Sequence, residues 1–78
     1  MTIEQLEQFR QARPFRPFRV HMADGRHLDV KHPEHFARTP GGRTLFIMTG
    51  GETFEIIDLL LVTSLERLNG KRGSRQAG

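Results

Sequence analysis

Four histidines and nine acidic side chains are the residues of this chain that could do acid–base or metal chemistry. His32 and His35 stand three apart, with Glu34 between them able to add an oxygen. His21 and His27 flank Asp24-Gly25 and become cross-strand neighbours if that pair turns a hairpin. Zinc needs three or four converging ligands, and nothing in the spacing brings the two histidine pairs together. The alternative is four ordinary surface histidines. The absence of cysteine excludes disulfide staples and thiolate chemistry. Nucleophilic catalysis would fall to Ser64, Ser74 or a threonine, and none sits in a nucleophile elbow or beside an evident base. Gly41-Gly42 and Gly50-Gly51 read as turns rather than phosphate loops, since no helix start and lysine follow them. The expectation is a protein that is not an enzyme, with no cofactor, no bound metal and no small-molecule substrate.

The basic residues carry the other candidate chemistry. Twelve Lys and Arg oppose nine Asp and Glu, a net charge of +3. The charge is polarised along the chain. Residues 67–78 hold Arg67, Lys71, Arg72 and Arg75 and no acid, while residues 44–66 hold Glu52, Glu55, Asp58 and Glu66 and no base. Arg13, Arg16, Arg19, Arg26 and Lys31 of the middle, with Lys71, Arg72 and Arg75 of the tail, form a candidate nucleic-acid surface. In the lead-in Arg13-Pro14-Phe15-Arg16-Pro17-Phe18, arginines could grip phosphate while a phenylalanine stacks on a base. The same segment equally reads as a stiff strap whose phenylalanines pack and whose arginines stay wet.

These side chains must be positioned by a small mainly β fold. Residues 18–30, FRVHMADGRHLDV, alternate apolar and polar on both sides of Asp24-Gly25. A two-residue loop would set Val20 against Asp29. A three-residue loop, Ala23 to Gly25, sets Val20 against Leu28 and Phe18 against Val30, giving one apolar face, so Gly25 is expected in the left-handed region. The outer face then pairs Arg19 with Asp29 and His21 with His27. Ahead of this hairpin, Thr2 and Gln5 form a capping box for a short amphipathic helix through Ile3, Leu6 and Phe9, ending near Ala12. Pro33 suits the start of one helical turn, and residues 36–39 resume extended structure. Residues 43–49 and 52–57 form a second hairpin around Gly50-Gly51. A two-residue loop there pairs Ile47 with Phe54 and Leu45 with Ile56 as a core face. Asp58 caps a single tight turn, and residues 61–66 form the last strand.

The expectation is one domain over residues 1–68, a five-stranded antiparallel SH3-like or Sm-like barrel with an N-terminal helix. Residues 69–78 are expected to be a disordered basic tail. The expected core is Leu6, Phe9, Phe18, Val20, Met22, Leu28, Val30, Phe36, Leu45, Ile47, Phe54, Ile56, Val62 and Leu65. No apolar run approaches a membrane span and no secretory pattern is present, so a cytoplasmic protein without membrane partners is the default.

Two resemblances follow from this order. A helix, about five short strands and a one-turn link before the last strand resemble Sm-like barrels, including Hfq-type RNA chaperones, over roughly residues 2–67. The Hfq-type Tyr-Lys-His signature is absent, as is the glycine usual in the bent second strand. No RNA-binding residue is therefore carried over. The chain is also similar to a group of short bacterial proteins sharing an RPF-x-PF-x-V-H lead-in, here residues 13–21. They share the A-D-G-R turn at 23–26, the His-Pro-Glu step at 32–34 and the IIDLLLVTSLE end at 56–66. That resemblance covers most of the chain and implies no activity.

One anomaly points to an interface. If Leu45, Ile47, Phe54 and Ile56 fill the core, Phe46, Met48 and Ile57 face outward, with Glu55 near their rim. Such a patch is covered by Phe9 or Phe15, or it meets another protein or a second copy of this chain. A chain this short buries only roughly 60–65% of its unfolded surface, which favours a homo-oligomer.

Overall fold

The structure is a computed structural model and describes residues 1–68. One helix precedes six short strands: α1 (Ile3–Arg10), β1 (Phe18–Met22), β2 (His27–Val30), β3 (Phe36–Arg38), β4 (Thr44–Met48), β5 (Phe54–Asp58) and β6 (Val62–Arg67). Two single 3-10 turns, Pro33–His35 and Leu59–Leu61, connect β2 to β3 and β5 to β6.

Each element follows from local chemistry. Thr2 caps α1: its hydroxyl accepts from the Gln5 N–H, and the Gln5 side chain accepts from the Thr2 N–H. The helix ends at Arg10, short of Ala12, with Gln11 as its C-cap. β1 and β2 pair in the expected register, Phe18 with Val30, Arg19 with Asp29, Val20 with Leu28 and His21 with His27. The connecting loop has three residues. The Met22 N–H donates to the Arg26 carbonyl at 2.8 Å, and Gly25 takes φ +94°, the conformation that an L side chain resists. Asp58 caps the second turn, its carboxylate accepting from the Leu60 N–H at 2.9 Å.

The strands form two three-stranded antiparallel sheets, β2-β1-β6 and β3-β4-β5. The mainly β fold with one N-terminal helix is as expected, and its strands number six in two sheets where five were counted, because the turn expected at Pro33 separates β2 from β3. At the other side the Leu59–Leu61 turn separates β5 from β6, and among the described residues no ladder joins those two strands. The core lies between the sheets. Leu6, Phe18, Val20, Val30, Leu45 and Ile47 are wholly buried there, with Met22, Leu28, Phe36, Ile57, Leu59 and Val62 around them.

The second hairpin departs from expectation by one residue. Met48 pairs with Phe54, Phe46 with Ile56, and Leu45 with Ile57. The Thr49 N–H donates to the Thr53 carbonyl at 2.9 Å and their hydroxyls lie 3.0 Å apart, so the loop holds Gly50, Gly51 and Glu52. A one-residue slip moves every side chain to the other face. Ile57 is therefore core rather than outward, and Phe54 and Ile56, expected in the core, are exposed. Either register turns one β5 carboxylate toward the core side, Asp58 with Phe54 and Ile56 or Glu55 with Ile57, and in the observed register Arg26 reaches Glu55 to pair it. In the observed register Asp58 stays outside, where it caps the turn and meets Arg43 at 3.2 Å. Phe9 and Leu65 are only partly buried, at the margin of the core.

Candidate interaction surface

The outer face of β4 and β5 carries Phe46, Met48, Phe54 and Ile56 as two adjacent cross-strand pairs. The Phe46 and Phe54 ring centroids are 6.4 Å apart. Phe54 is 56% and Ile56 58% exposed, while Phe46 and Met48 are half-buried. In the turn that follows β5, Leu60 and Leu61 are 68% and 51% exposed. Phe9 and Phe15 do not cover this face. Both pack edge-on against Phe18 in the core, with centroids at 5.4 Å and 6.1 Å. The face is thus an apolar strip on a chain of 78 residues, a candidate contact surface.

The charges around it are hydrogen-bonded to one another. Glu55, on the opposite strand face, pairs with Arg26 of the β1–β2 turn, which also holds Asp24 at 2.9 Å. The Leu60 N–H, and after it Arg43, hold the Asp58 carboxyl below its ordinary pKa. Beside the β5 edge a hollow of about 380 Å³ opens toward the β1–β2 turn, floored by Met22, Ile56, Ile57 and Leu61. Of the expected interface residues, Phe46 and Met48 lie on this face, Glu55 lies behind it and Ile57 lies in the core. Phe54 and Ile56 replace Ile57. No local signal separates the two registers, because each turns one carboxylate of β5, Asp58 or Glu55, to the core side.

The candidate nucleic-acid residues are dispersed. Arg13 and Arg16 are exposed on the lead-in. Arg19 donates twice to Asp29, at 2.7 Å and 3.3 Å, and this holds the Asp29 carboxyl below its ordinary pKa. Arg26 is engaged by the two carboxylates of Asp24 and Glu55. Lys31 lines a separate open groove with His27, His35 and the Gly50-Gly51 turn. Lys71, Arg72 and Arg75, with the rest of the expected disordered tail, lie outside the described residues.

The histidines remain in their two pairs. The His21 and His27 rings lie 6.1 Å apart and those of His32 and His35 4.7 Å apart, and His21 meets Glu66 at 2.9 Å. Among the described residues no group of three or more His, Asp or Glu side chains could hold a metal ion. No helix among them is long and apolar enough to cross a membrane. No family model, no curated protein and no solved structure matches the chain.

Proposed function

We propose that this protein is a non-enzymatic small β module of the cytoplasm that acts by self-association through the outer face of β4 and β5. The observation that carries the reading is the strip Phe46, Met48, Phe54 and Ile56, left uncovered by the chain's own helix and lead-in. Burying one such apolar side chain contributes roughly 1.5–3 kcal/mol when burial is complete. A few of them offset much of the entropic cost of association. The strand order, two sheets joined through a broken second strand, supports an Sm-like relationship in which β2 and β3 stand for one bent strand. The similarity to short bacterial proteins with the same lead-in and end belongs to the same reading.

Light scattering at tens of micromolar tests the proposal. The wild type should have a mass of two or more chains. Phe54→Glu should keep its circular dichroism and melting curve and run as a single chain, because Phe54 contributes little to its own core. A wild-type mass of one chain throughout this range would remove the proposal.

A second reading, nucleic-acid binding, rests on exposed Arg13 and Arg16 flanking Phe15. It requires binding that weakens steeply with salt and is lost in an Arg13→Ala, Arg16→Ala double variant. Two of its candidate residues, Arg19 and Arg26, already hold carboxylates of this chain.

A further inference from the structure

β5 is the outer strand of its sheet, with β4 on one side only. Leu59 donates its N–H to the Arg43 carbonyl, and Thr49 donates to the Thr53 carbonyl. In an antiparallel ladder a residue turns its N–H and C=O to one side, and the side alternates along the strand. Residues 53, 55, 57 and 59 therefore bond toward β4. Phe54, Ile56 and Asp58 turn their main-chain groups to the open edge.

Open edges are usually blunted by lysine, proline, bulges or shortness. β2 is four residues long and runs into Lys31 and Pro33. β3 has three residues and includes Arg38. β6 carries Glu66 and Arg67, and its ladder with β1 is bulged. β5 has no lysine, no proline and no bulge, and at five residues it is longer than β2 or β3. Its two acids are paired within the chain, Glu55 with Arg26, which Asp24 shares, and Asp58 with Arg43.

We infer that β5 pairs antiparallel with β5 of a second copy about a two-fold axis at Ile56, joining two three-stranded sheets into one of six. The inference rests on the self-association proposed above and specifies its geometry. The register follows from the edge. Centring on Ile56 sets Ile56 opposite Ile56 and Phe54 opposite Asp58, so all three outward-turned residues find partners. Centring on Glu55 sets two carboxylates directly opposite each other, which is unfavourable, and leaves Asp58 unpaired. Centring on Phe54 leaves both Ile56 and Asp58 without strand partners. In the chosen register every β5 acid faces an apolar residue and keeps its arginine partner from its own chain. The contact is isologous and closes at two copies. It also makes the Phe46, Met48, Phe54 and Ile56 strip continuous across the axis.

The chain has no cysteine, so single-cysteine variants test the register directly. In this pairing the two Ile56 Cα atoms lie roughly 5.5 Å apart. The two Phe46 positions are three strand spacings apart, roughly 14 Å. Ile56 is exposed, so Ile56→Cys keeps the fold. Treated with a short bifunctional maleimide, Ile56→Cys should convert mostly to a linked dimer while Phe46→Cys stays single. The wild-type mass should be that of two chains. A wild-type mass of one chain would overturn the pairing and the self-association together. A mass above two chains would overturn the two-fold pairing and leave self-association standing. So would a two-chain mass with Phe46→Cys linking as readily as Ile56→Cys, which would mean face-to-face packing.

Discussion

Ile56 and Ile57 are neighbours of the same residue type with opposite fates, so truncating each in turn tests the register that creates the apolar face. Ile57 is 6% exposed, packed among Leu45 and the rest of the core. Ile57→Ala should cost about 2–5 kcal/mol, the sum of lost transfer energy and the cavity left behind. Ile56 is 58% exposed, so Ile56→Ala removes less than half of the transfer energy, opens no cavity and should cost about 1 kcal/mol or less. In a domain this small each kcal/mol moves the melting midpoint by roughly 4–8 °C, so the two variants should melt at least about 4 °C apart. Urea titration is the assay, run on samples dilute enough to be single chains, because self-association would add its own concentration-dependent stability. The slope of free energy against urea should match wild type in both, which assigns the difference to stability rather than to a changed denatured state. If Ile56→Ala proves as costly as Ile57→Ala, the two-residue Gly50-Gly51 loop is the true one, Phe54 and Ile56 belong to the core, and the interface argument falls with them.

Other outcomes follow from single sites. Gly25→Val meets no atom within 4 Å, but φ is +94°, so it should lose about 1–2 kcal/mol from backbone strain alone; an unchanged urea midpoint would show the first turn to be drawn wrongly. Gly42→Ala combines φ +76° with a new methyl 3.0 Å from Ile3, and should be destabilising in a way that Ile3→Ala partly relieves. A double variant no better than Gly42→Ala would contradict that contact. Burial raises the pKa of Glu7, but donation from Arg38 at 2.6 Å and from Arg10 at 2.9 Å outweighs it and leaves the group lowered. A lowered folded pKa stabilises above the unfolded value of roughly 4.3 and is lost as pH falls through the folded value. Glu7→Gln should therefore cost about 1–2 kcal/mol at neutral pH and flatten the acid limb of the stability curve. An acid limb as steep as that of wild type would refute the role.

The first hairpin was legible from residues alone because only one loop length sorts its side chains. Asp24-Gly25 marks the turn, and Phe18, Val20, Leu28 and Val30 share a face only in the register observed. The helix cap, the Pro33 turn and the Asp58 cap were legible for the same reason: each is a contact between residues two to four apart. The second hairpin was not. Leu45, Ile47, Phe46 and Met48 place apolar side chains on both faces of β4, and Phe54, Ile56, Ile57 and Leu59 do so around β5. Alternation therefore permits two registers of nearly equal apolar burial. Partners distant in sequence made the choice: Arg26 draws in Glu55 across 29 residues, and Arg43 meets Asp58 across 15. Phe46 and Met48 were recognisable as outward from the alternation along β4, since Leu45 and Ile47 claimed the core. That Phe54 and Ile56 join them, and that their strand lies at an open edge, is a property of the sheet pairing. Period-two patterning is blind to it, because it records which residues share a face and not which face meets the core.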